Sequence, residues 1–187
     1  MSIHIDRPTK EKIKLAHPKL RDELEELVEK INKDVLTGRA KMRITHTLRS
    51  FEEQEALYAQ GRETLEEVNT KRKEAGLQPI KSSENRRVTN AKGGSSHHNF
   101  ALAFDFVLIV NGVSASWDIK KDFDQDLQSD WMEVVKVFED AGYTWGGRFR
   151  TIKDNPHFEK TFGNTISTLK RKHQNKQFIP GTEYVRI

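Results

Sequence analysis

The sequence predicts a single α+β domain over residues 1–187, in which a small antiparallel sheet is flanked by helices. Three observations support this class. Several segments have the apolar spacing of amphipathic helices, one apolar run is long enough for a buried strand, and an Asn-Gly pair follows that run as a hairpin turn. A chain of 187 residues can also bury a substantial core.

The first predicted element is an amphipathic helix over about residues 18–36, because its apolar residues form one stripe. Pro18 suits its first turn, and Gly38 can end it. We expect residues 1–40 to be a helical extension packed on a core formed by residues 42–187. His4, His17 and His173 are expected to be exposed.

A short strand follows in "MRITHTLR", which places Met42, Ile44, His46 and Leu48 on one face. His46 is therefore expected to pack beneath the sheet. Two capping boxes then begin two further helices. They are Ser50 with Glu53, and Thr64 with Glu67.

A loop of about twenty residues, "LQPIKSSENRRVTNAKGGSS", precedes the apolar run, and loops of this length are often functional. Asn111-Gly112 then predicts a hairpin that returns "VSASW" to the strand. Trp131 to Ala141 has helical spacing. Short strands are expected in "YTWGGRFR" and "NPHFEK", and a last helix over roughly Thr165 to His173.

Composition limits the chemistry of any site. The chain has no cysteine, so a metal would need His, Asp or Glu ligands. The net charge is only +4, which does not by itself indicate a nucleic-acid partner. We find no apolar run of signal-peptide or membrane-span length, so we expect synthesis in the cytoplasm and no membrane insertion.

The apolar run "ALAFDFVLIV" contains Asp105 at its centre, and a buried carboxylate needs a partner. His97, His98 and His157 are the candidates. A catalytic zinc ion typically takes three protein ligands, which His98, Asp105 and His157 could supply. Asp154, three residues before His157, would remain as a base. The alternative is a hydrogen-bonded structural pair of Asp105 and a histidine.

Geometry requires a bend for this metal site to form. In an extended chain, His98 and Asp105 would lie roughly 23 Å apart at about 3.3 Å per residue. The chain must therefore turn back on itself, and Asn99 to Ala101 is the expected position of the bend.

Two motifs resemble signatures of the zinc D-alanyl-D-alanine peptidase family. "SSHHNFALAFDF" is similar to the S-x-H-x-x-G-x-A-x-D signature, and "KDNPHFEK" is similar to the second. The segments "LRSFEEQEALYAQGR", "VTNAKGGSSHHNF", "YTWGG" and "FIPGTEYVRI" resemble the L-alanyl-D-glutamate peptidase branch, which includes phage endolysins. The resemblance covers roughly residues 42–187.

The resemblance implies one zinc ion per chain, bound by His98, Asp105 and His157, with Asp154 as the general base. It implies that Arg49 lies near the scissile carbonyl or holds a substrate carboxylate. Ser96 is expected to fix the loop or contact substrate. Gln54 and Tyr58 share one helical face and are expected to line the substrate groove. His97 is not expected to be a ligand.

Two positions depart from the family pattern. Ala101 stands where the family has glycine, which costs about 1 kcal/mol or more if the position needs a positive φ and little if it needs only a small side chain. Phe149 stands where a tryptophan is expected, and it keeps an aromatic ring there.

The function implied by the resemblance is zinc-dependent cleavage of the L-Ala–D-Glu bond in peptidoglycan stem peptides. A D-Ala–D-Ala carboxypeptidase or dipeptidase would use the same metal chemistry. A third possibility is a non-enzymatic wall- or nucleic-acid-binding module that uses "KRKH" (170–173) and "ENRR" (84–87). For the enzyme we expect a monomer, no nucleic-acid partner, and release to the cell wall through a separate pore, as in phage lysis.

Overall fold

A computed structural model describes residues 4–187. Within this range the strands are β1 (Ala40–His46), β2 (Ala103–Val110), β3 (Ser114–Ser116), β4 (Thr144–Trp145) and β5 (His157–Glu159). They form one sheet of order β1-β2-β5-β4, in which β3 also pairs with β2. Every pairing is antiparallel.

Six α-helices accompany the sheet within the same range. They are α1 (Arg7–Leu15), α2 (Pro18–Lys30), α3 (Phe51–Ala59), α4 (Leu65–Glu74), α5 (Asp130–Asp140) and α6 (Ile166–Gln174). A single π-helical turn, Ile31–Val35, continues α2. The α+β class predicted from the sequence is confirmed.

The chain divides into two compact units. The first contains the chain up to Leu48 together with Leu102–Lys160, and therefore holds the whole sheet with α1, α2 and α5. The second contains Arg49–Ala101 and Thr161–Ile187, with α3, α4 and α6. The prediction of a single domain with residues 1–40 as its extension stays a prediction.

The core of the first unit is aromatic and lies between β2 and α5. Phe104 and Phe106 are fully buried in β2. The Phe106 ring centroid is 4.3 Å from that of Trp131, and Phe104 is 4.8 Å from Phe138. Because side chains alternate along a strand, Asp105 points to the opposite face of β2. This alternation explains how a carboxylate can occupy an otherwise apolar strand.

β1 contains a bulge that the sequence did not reveal. Ile44 pairs with Phe106 and His46 with Asp105, so Thr45 is the extra residue. A bulge of this kind reverses the direction of the following side chains. Met42 and Ile44 are buried as predicted, whereas His46 is exposed, and the prediction that His46 packs beneath the sheet is wrong.

The predicted helix over residues 18–36 is confirmed as α2 and its π turn, but α1 was not predicted. Asp6 caps α1 by accepting the Thr9 N–H at 2.9 Å. His17 is 1% exposed and caps α2, with Nδ1 accepting the Lys19 N–H at 3.2 Å. The prediction that His17 is exposed is therefore wrong. His4 and His173 are partly buried rather than exposed.

Local signals in the sequence determine several boundaries. Both predicted capping boxes are present, at Ser50–Glu53 and Thr64–Glu67. The hairpin turn is also confirmed, since Asn111 and Gly112 have φ of 53° and 73°. No helix within residues 4–187 combines the length and apolar character that crossing a bilayer requires.

Candidate metal centre

Asp105 and His157 are brought together by strand pairing. They are opposite each other in the register of β2 and β5. His157 Nδ1 lies 3.3 Å from Asp105 Oδ1, and the His157 side chain is only 8% exposed. The ring of Phe149 is 5.6 Å from the His157 ring, so the phenylalanine that replaces the expected tryptophan packs against this histidine.

Glu159 contacts Nε2, the second ring nitrogen of His157. Its Oε2 atom is 3.0 Å from Nε2. Burial alone would lower the pKa of His157, but hydrogen bonds and charge from Asp105 and Glu159 raise it to about 9. Two carboxylates thus make the potential at this histidine negative, which favours a bound cation. Because Nε2 faces Glu159, Nδ1 is the nitrogen available to a metal ion.

The turn before β5 carries Asp154, and close packing on Gly146 and Trp145 fixes it. The Asp154 N–H donates to the Gly146 carbonyl at 3.1 Å, and the Trp145 indole N–H donates to the Asn155 carbonyl at 2.7 Å. A Cβ atom on Gly146 would lie 2.4 Å from the Asp154 carbonyl oxygen. Asp154 itself is exposed at the surface of this turn.

His98 lies in a 3₁₀ turn, His97–Phe100, and is 2% exposed. The Ser96 hydroxyl caps this turn by accepting the His98 N–H at 3.3 Å. Asn99 Nδ2 donates to the carbonyls of Arg49 and Ser50 at 2.9 and 3.0 Å. The Arg49 N–H in turn donates to the His98 carbonyl at 3.0 Å. These bonds hold the backbone of the turn in one position.

Ala101 ends the 3₁₀ turn in the left-handed conformation, with φ of 58° and ψ of 24°. It is fully buried. The bend expected at Asn99 to Ala101 is therefore present. Of the two possible reasons for the family glycine, the structure supports the requirement for a positive φ, so the alanine is strained here.

His98, Asp105 and His157 can each offer one ligand atom, and these three atoms all lie within 4.8 Å of one another. Two imidazole nitrogens and one carboxylate oxygen form a donor set that suits Zn²⁺. The contact between His157 and Glu159 also fits, since a metal-binding histidine usually donates its second N–H to a carboxylate. The residues present could therefore hold the expected ion.

Arg49 is positioned by Gln54, a residue that the sequence had suggested as a substrate contact. Arg49 Nη1 donates to Gln54 Oε1 at 2.9 Å, and Gln54 Nε2 donates to the Ala91 carbonyl at 2.8 Å. Gln54 is fully buried. Tyr58 is only partly buried, and the Arg62 guanidinium lies 4.0 Å from its ring centroid. The substrate-binding roles of Gln54 and Tyr58 stay predictions.

The basic cluster "KRKH" is largely engaged in the fold of the second unit. Lys170 Nζ donates to Ser95 Oγ at 2.8 Å, and Lys172 Nζ donates to the Arg186 carbonyl at 2.9 Å. The His173 ring lies 4.9 Å from that of Phe51. These contacts explain the cluster without a polyanionic partner.

Sequence reasoning missed two supporting residues, Glu159 and Asn99. The signal for Glu159 was available, because a residue two positions after His157 in a strand shares its face. No comparable signal existed for Asn99, whose partners Arg49 and Ser50 are about fifty positions earlier in the chain.

Comparisons with known proteins find a matching family model, a similar curated protein and a similar solved structure. A family model described as D-alanyl-D-alanine carboxypeptidase matches residues 89–160. A curated relative, the peptidoglycan L-alanyl-D-glutamate endopeptidase CwlK of Bacillus subtilis, is 39% identical over 116 residues, which span 62% of this chain and 58% of the relative. A solved structure, the L-Ala D-Glu endopeptidase ChiX of Serratia marcescens, is 21% identical with a TM-score of 0.46, covering 86% of this chain and 92% of that one.

The matched segment includes His98, Asp105, Asp154 and His157. The resemblance predicted from the two motifs is thus confirmed, and residues 89–160 carry the sequence pattern of the D-alanyl-D-alanine carboxypeptidase family.

Proposed function

We propose that this protein is a zinc-dependent peptidase that cleaves the L-Ala–D-Glu bond of peptidoglycan stem peptides. The observation that carries the proposal is the grouping of His98, Asp105 and His157 within 4.8 Å, inside a segment that matches a peptidase family. The relative CwlK, which is named for L-alanyl-D-glutamate cleavage, supports this choice of bond.

His98, Asp105 and His157 would hold one zinc ion per chain. When bound, zinc acts as a Lewis acid and lowers the pKa of a water molecule to about 7. Glu159 would keep the His157 ring oriented through its 3.0 Å contact with Nε2. The buried aromatic residues around β2 would keep the Asp105 side of the site rigid.

Asp154 is proposed as the general base that accepts the proton of the attacking water. It precedes the ligand His157 by three residues, and the turn between them is closed by the bond from the His157 N–H to the Asp154 carbonyl at 3.2 Å. Its exposure gives the carboxylate access to substrate and water. After attack, the same carboxyl group would return the proton to the leaving amine.

Arg49 is proposed to stabilise negative charge, either on the scissile carbonyl oxygen or on a substrate carboxylate. Gln54 would act as a positioning residue by fixing the guanidinium. Ser96 would fix the turn that carries His98. Tyr58, whose ring is approached by the cations of Arg62 and Lys92, would contact substrate.

A second candidate is a D-Ala–D-Ala carboxypeptidase, which the description of the matching family favours. Digestion of purified peptidoglycan distinguishes the two. New D-Glu amino termini are expected from the first reaction and free D-alanine from the second. Release of D-alanine without new D-Glu termini would reject the proposed specificity.

Two variants test the chemistry. His157→Ala should lose zinc and hydrolysis together, whereas Asp154→Ala should keep stoichiometric zinc and lose hydrolysis. Asp140→Asn, at an exposed acid on α5, should change neither. Hydrolysis by zinc-loaded Asp154→Ala at the wild-type rate would exclude Asp154 as the base.

We propose the peptidoglycan stem peptide as the binding partner of this protein. We further propose a monomer that reaches the wall through a separate pore, as in phage or prophage lysis. Size-exclusion chromatography with light scattering tests the monomer.

A further inference from the structure

A second set of possible metal ligands lies in the segment Asp122–Glu133 and shares no residue with the site described above. This segment, called the acidic loop here, leads from β3 into α5. Five of its twelve residues are acidic and none is basic. The acidic residues are Asp122, Asp124, Asp126, Asp130 and Glu133.

Three of these carboxylates each have a buried oxygen with no hydrogen-bond partner within residues 4–187. The atoms are Asp124 Oδ1, Asp130 Oδ2 and Glu133 Oε2. Asp130 is fully buried as a residue. A carboxylate oxygen that is removed from water without a partner is costly, so each of these atoms indicates a missing positive charge.

The opposite oxygens of two of these groups are anchored to the protein. Asp124 Oδ2 accepts the Thr37 N–H at 3.1 Å and the Thr37 hydroxyl at 2.9 Å. Asp130 Oδ1 accepts the Phe123 N–H at 2.7 Å. Each side chain is therefore fixed with its second oxygen directed inward. Gly38 allows this arrangement, since a Cβ atom there would lie 2.5 Å from Asp124 Cβ.

The carboxylates of the acidic loop lie close to one another. Ligand atoms of Asp122, Asp124 and Asp130 all lie within 4.8 Å of one another, and so do those of Asp124, Asp126 and Glu133. The two groups share Asp124. Burial, and after it the charges of the neighbouring acids, raise the pKa of Glu133 to about 7, as expected for a carboxyl group removed from water beside other carboxylates.

Neither the helix dipole of α5 nor a nearby lysine accounts for the whole arrangement. Asp130 and Glu133 lie in the first turn of α5, where acids are favoured by the dipole, but that effect does not require buried oxygens without partners. Lys41 is close enough to feel the charges of Asp124 and Asp130. Its Nζ atom, however, donates to the carbonyls of Asn32 and Leu36.

The spacing indicates which ion would fit. Acids occur at positions 1, 3, 5, 9 and 12 of the twelve-residue loop, which is the ligand pattern of helix-flanking calcium loops. Such loops have glycine at position 6 for a sharp turn. Leu127 occupies that position and adopts the glycine-like φ of 75°, and the residue is 96% exposed.

We propose that the acidic loop binds one calcium ion through its five carboxylates. All-oxygen ligation suits a hard cation, and several carboxylates without a rigid octahedral frame suit calcium better than magnesium. The ion would stabilise the start of α5, whose Trp131 packs 4.3 Å from Phe106 in β2. The proposal does not depend on the proposed peptidase activity.

The test is thermal unfolding and calorimetric calcium titration of the protein in the presence of zinc. Saturating calcium is expected to raise the Tm of the wild type by about 5 °C. Glu133→Gln and Asp124→Asn should lower the calcium affinity by about tenfold or more. Asp140→Asn is the matched control, because it removes an exposed acid from the same helix and should leave the affinity unchanged.

The direction of the Tm difference between Glu133→Gln and wild type distinguishes a metal site from a structural acid cluster. Without calcium, Glu133→Gln should unfold at the same temperature as wild type or higher, because one repulsive charge is removed. With calcium, wild type should be the more stable. His157→Ala should bind calcium as wild type does, which separates this site from the zinc ligands.

Extracellular calcium sites have Kd values up to about 10⁻³ M, so a calcium concentration about tenfold above this value should saturate the site. The absence of calorimetric binding together with an unchanged Tm at that concentration would overturn the proposal. Equal affinity for calcium and magnesium would overturn the assignment to calcium.

Discussion

Asp105 and His157 stand opposite each other in β2 and β5, and Oδ1 of the first is 3.3 Å from Nδ1 of the second. Two of the proposed zinc ligands are thus fixed by backbone pairing within a sheet. The core beneath them is packed through Phe104, Phe106 and Phe158, all fully buried. A site built on paired strands loses little of its geometry to loop motion.

The contact between Glu159 and His157 predicts a specific loss of metal affinity. Glu159→Gln keeps a hydrogen-bond acceptor near Nε2 but removes the charge, so we expect zinc affinity to fall by about tenfold. Glu159→Ala removes both and should cost about 100-fold. Competition with a fluorescent zinc chelator measures each value.

Glu74→Gln serves as the control for this pair, because Glu74 is an exposed acid at the end of α4. Its zinc affinity should equal that of wild type. Zinc affinities of both Glu159 variants that match the control would show that Glu159 does not orient the ligand.

The hydrogen bond between Arg49 and Gln54 predicts that substitutions at either residue lower the peptidase activity without loss of bound zinc. Arg49→Lys removes the planar guanidinium and should lower kcat/KM by about 100-fold. Gln54→Leu leaves Arg49 in place but removes its anchor, and should lower kcat/KM by about tenfold. Both are measured on zinc-saturated protein with a synthetic stem peptide.

Gln60→Leu is the matched control for Gln54→Leu. Gln60 is 4% exposed and its Oε1 accepts a bond from Arg72 at 2.8 Å, so the same kind of buried pair is lost at the other end of α3. We expect Gln60→Leu to lower the free energy of unfolding about as much as Gln54→Leu does, and to leave kcat/KM unchanged. Equal activity of the Gln54 and Gln60 variants would argue against a positioning role for Gln54.

The parts of the fold that the sequence predicted depend on local chemistry. The two capping boxes, the hairpin at Asn111-Gly112 and the bend before Leu102 each involve residues only a few positions apart. The grouping of His98, Asp105 and His157 was also predicted, because the two motifs that contain these residues are each recognisable in the sequence. In the capping boxes, the hairpin and the bend, a short segment contains both partners of the interaction.

The predictions that were wrong concern residues whose partners are distant in sequence, or a strand that contains an extra residue. The exposure of His46 depends on the bulge at Thr45, which appears only when β1 is paired with β2. His17 lies at the junction between α1 and α2, and α1 was not predicted because its apolar stripe is short. The acidic loop differs from both, since its spacing is present in the sequence but Leu127 at the glycine position obscures the calcium-loop pattern.

The close approach of Gly146 to Asp154 predicts that Gly146→Ala damages the site. The added Cβ would meet the Asp154 carbonyl oxygen at 2.4 Å, a backbone atom that cannot rotate away. We expect a loss of about 1–3 kcal/mol in the free energy of unfolding and a fall in kcat/KM, because the turn with Asp154 and His157 must move. Urea unfolding and peptide hydrolysis measure the two effects.

Gly76→Ala separates strain from steric overlap. Gly76 has φ of 73° and nothing within 4 Å of an added Cβ, so the substitution should cost about 1 kcal/mol and leave kcat/KM unchanged. Full activity of Gly146→Ala would mean that the turn can shift without disturbing the reacting groups.

The left-handed conformation of Ala101 predicts that restoring the family glycine stabilises the protein. At φ of 58° an alanine costs about 1–2 kcal/mol, whereas glycine costs about 0.5–1 kcal/mol in lost chain entropy. Ala101 is fully buried, and the lost methyl contacts limit the net gain of Ala101→Gly to about 0.5 kcal/mol. Ala75→Gly, at a position with φ of −80°, relieves no strain and should be destabilising. Urea unfolding of the zinc-free protein measures the free energy of unfolding of both variants. If Ala101→Gly lowers this free energy as much as Ala75→Gly does, the positive φ of Ala101 stores no strain.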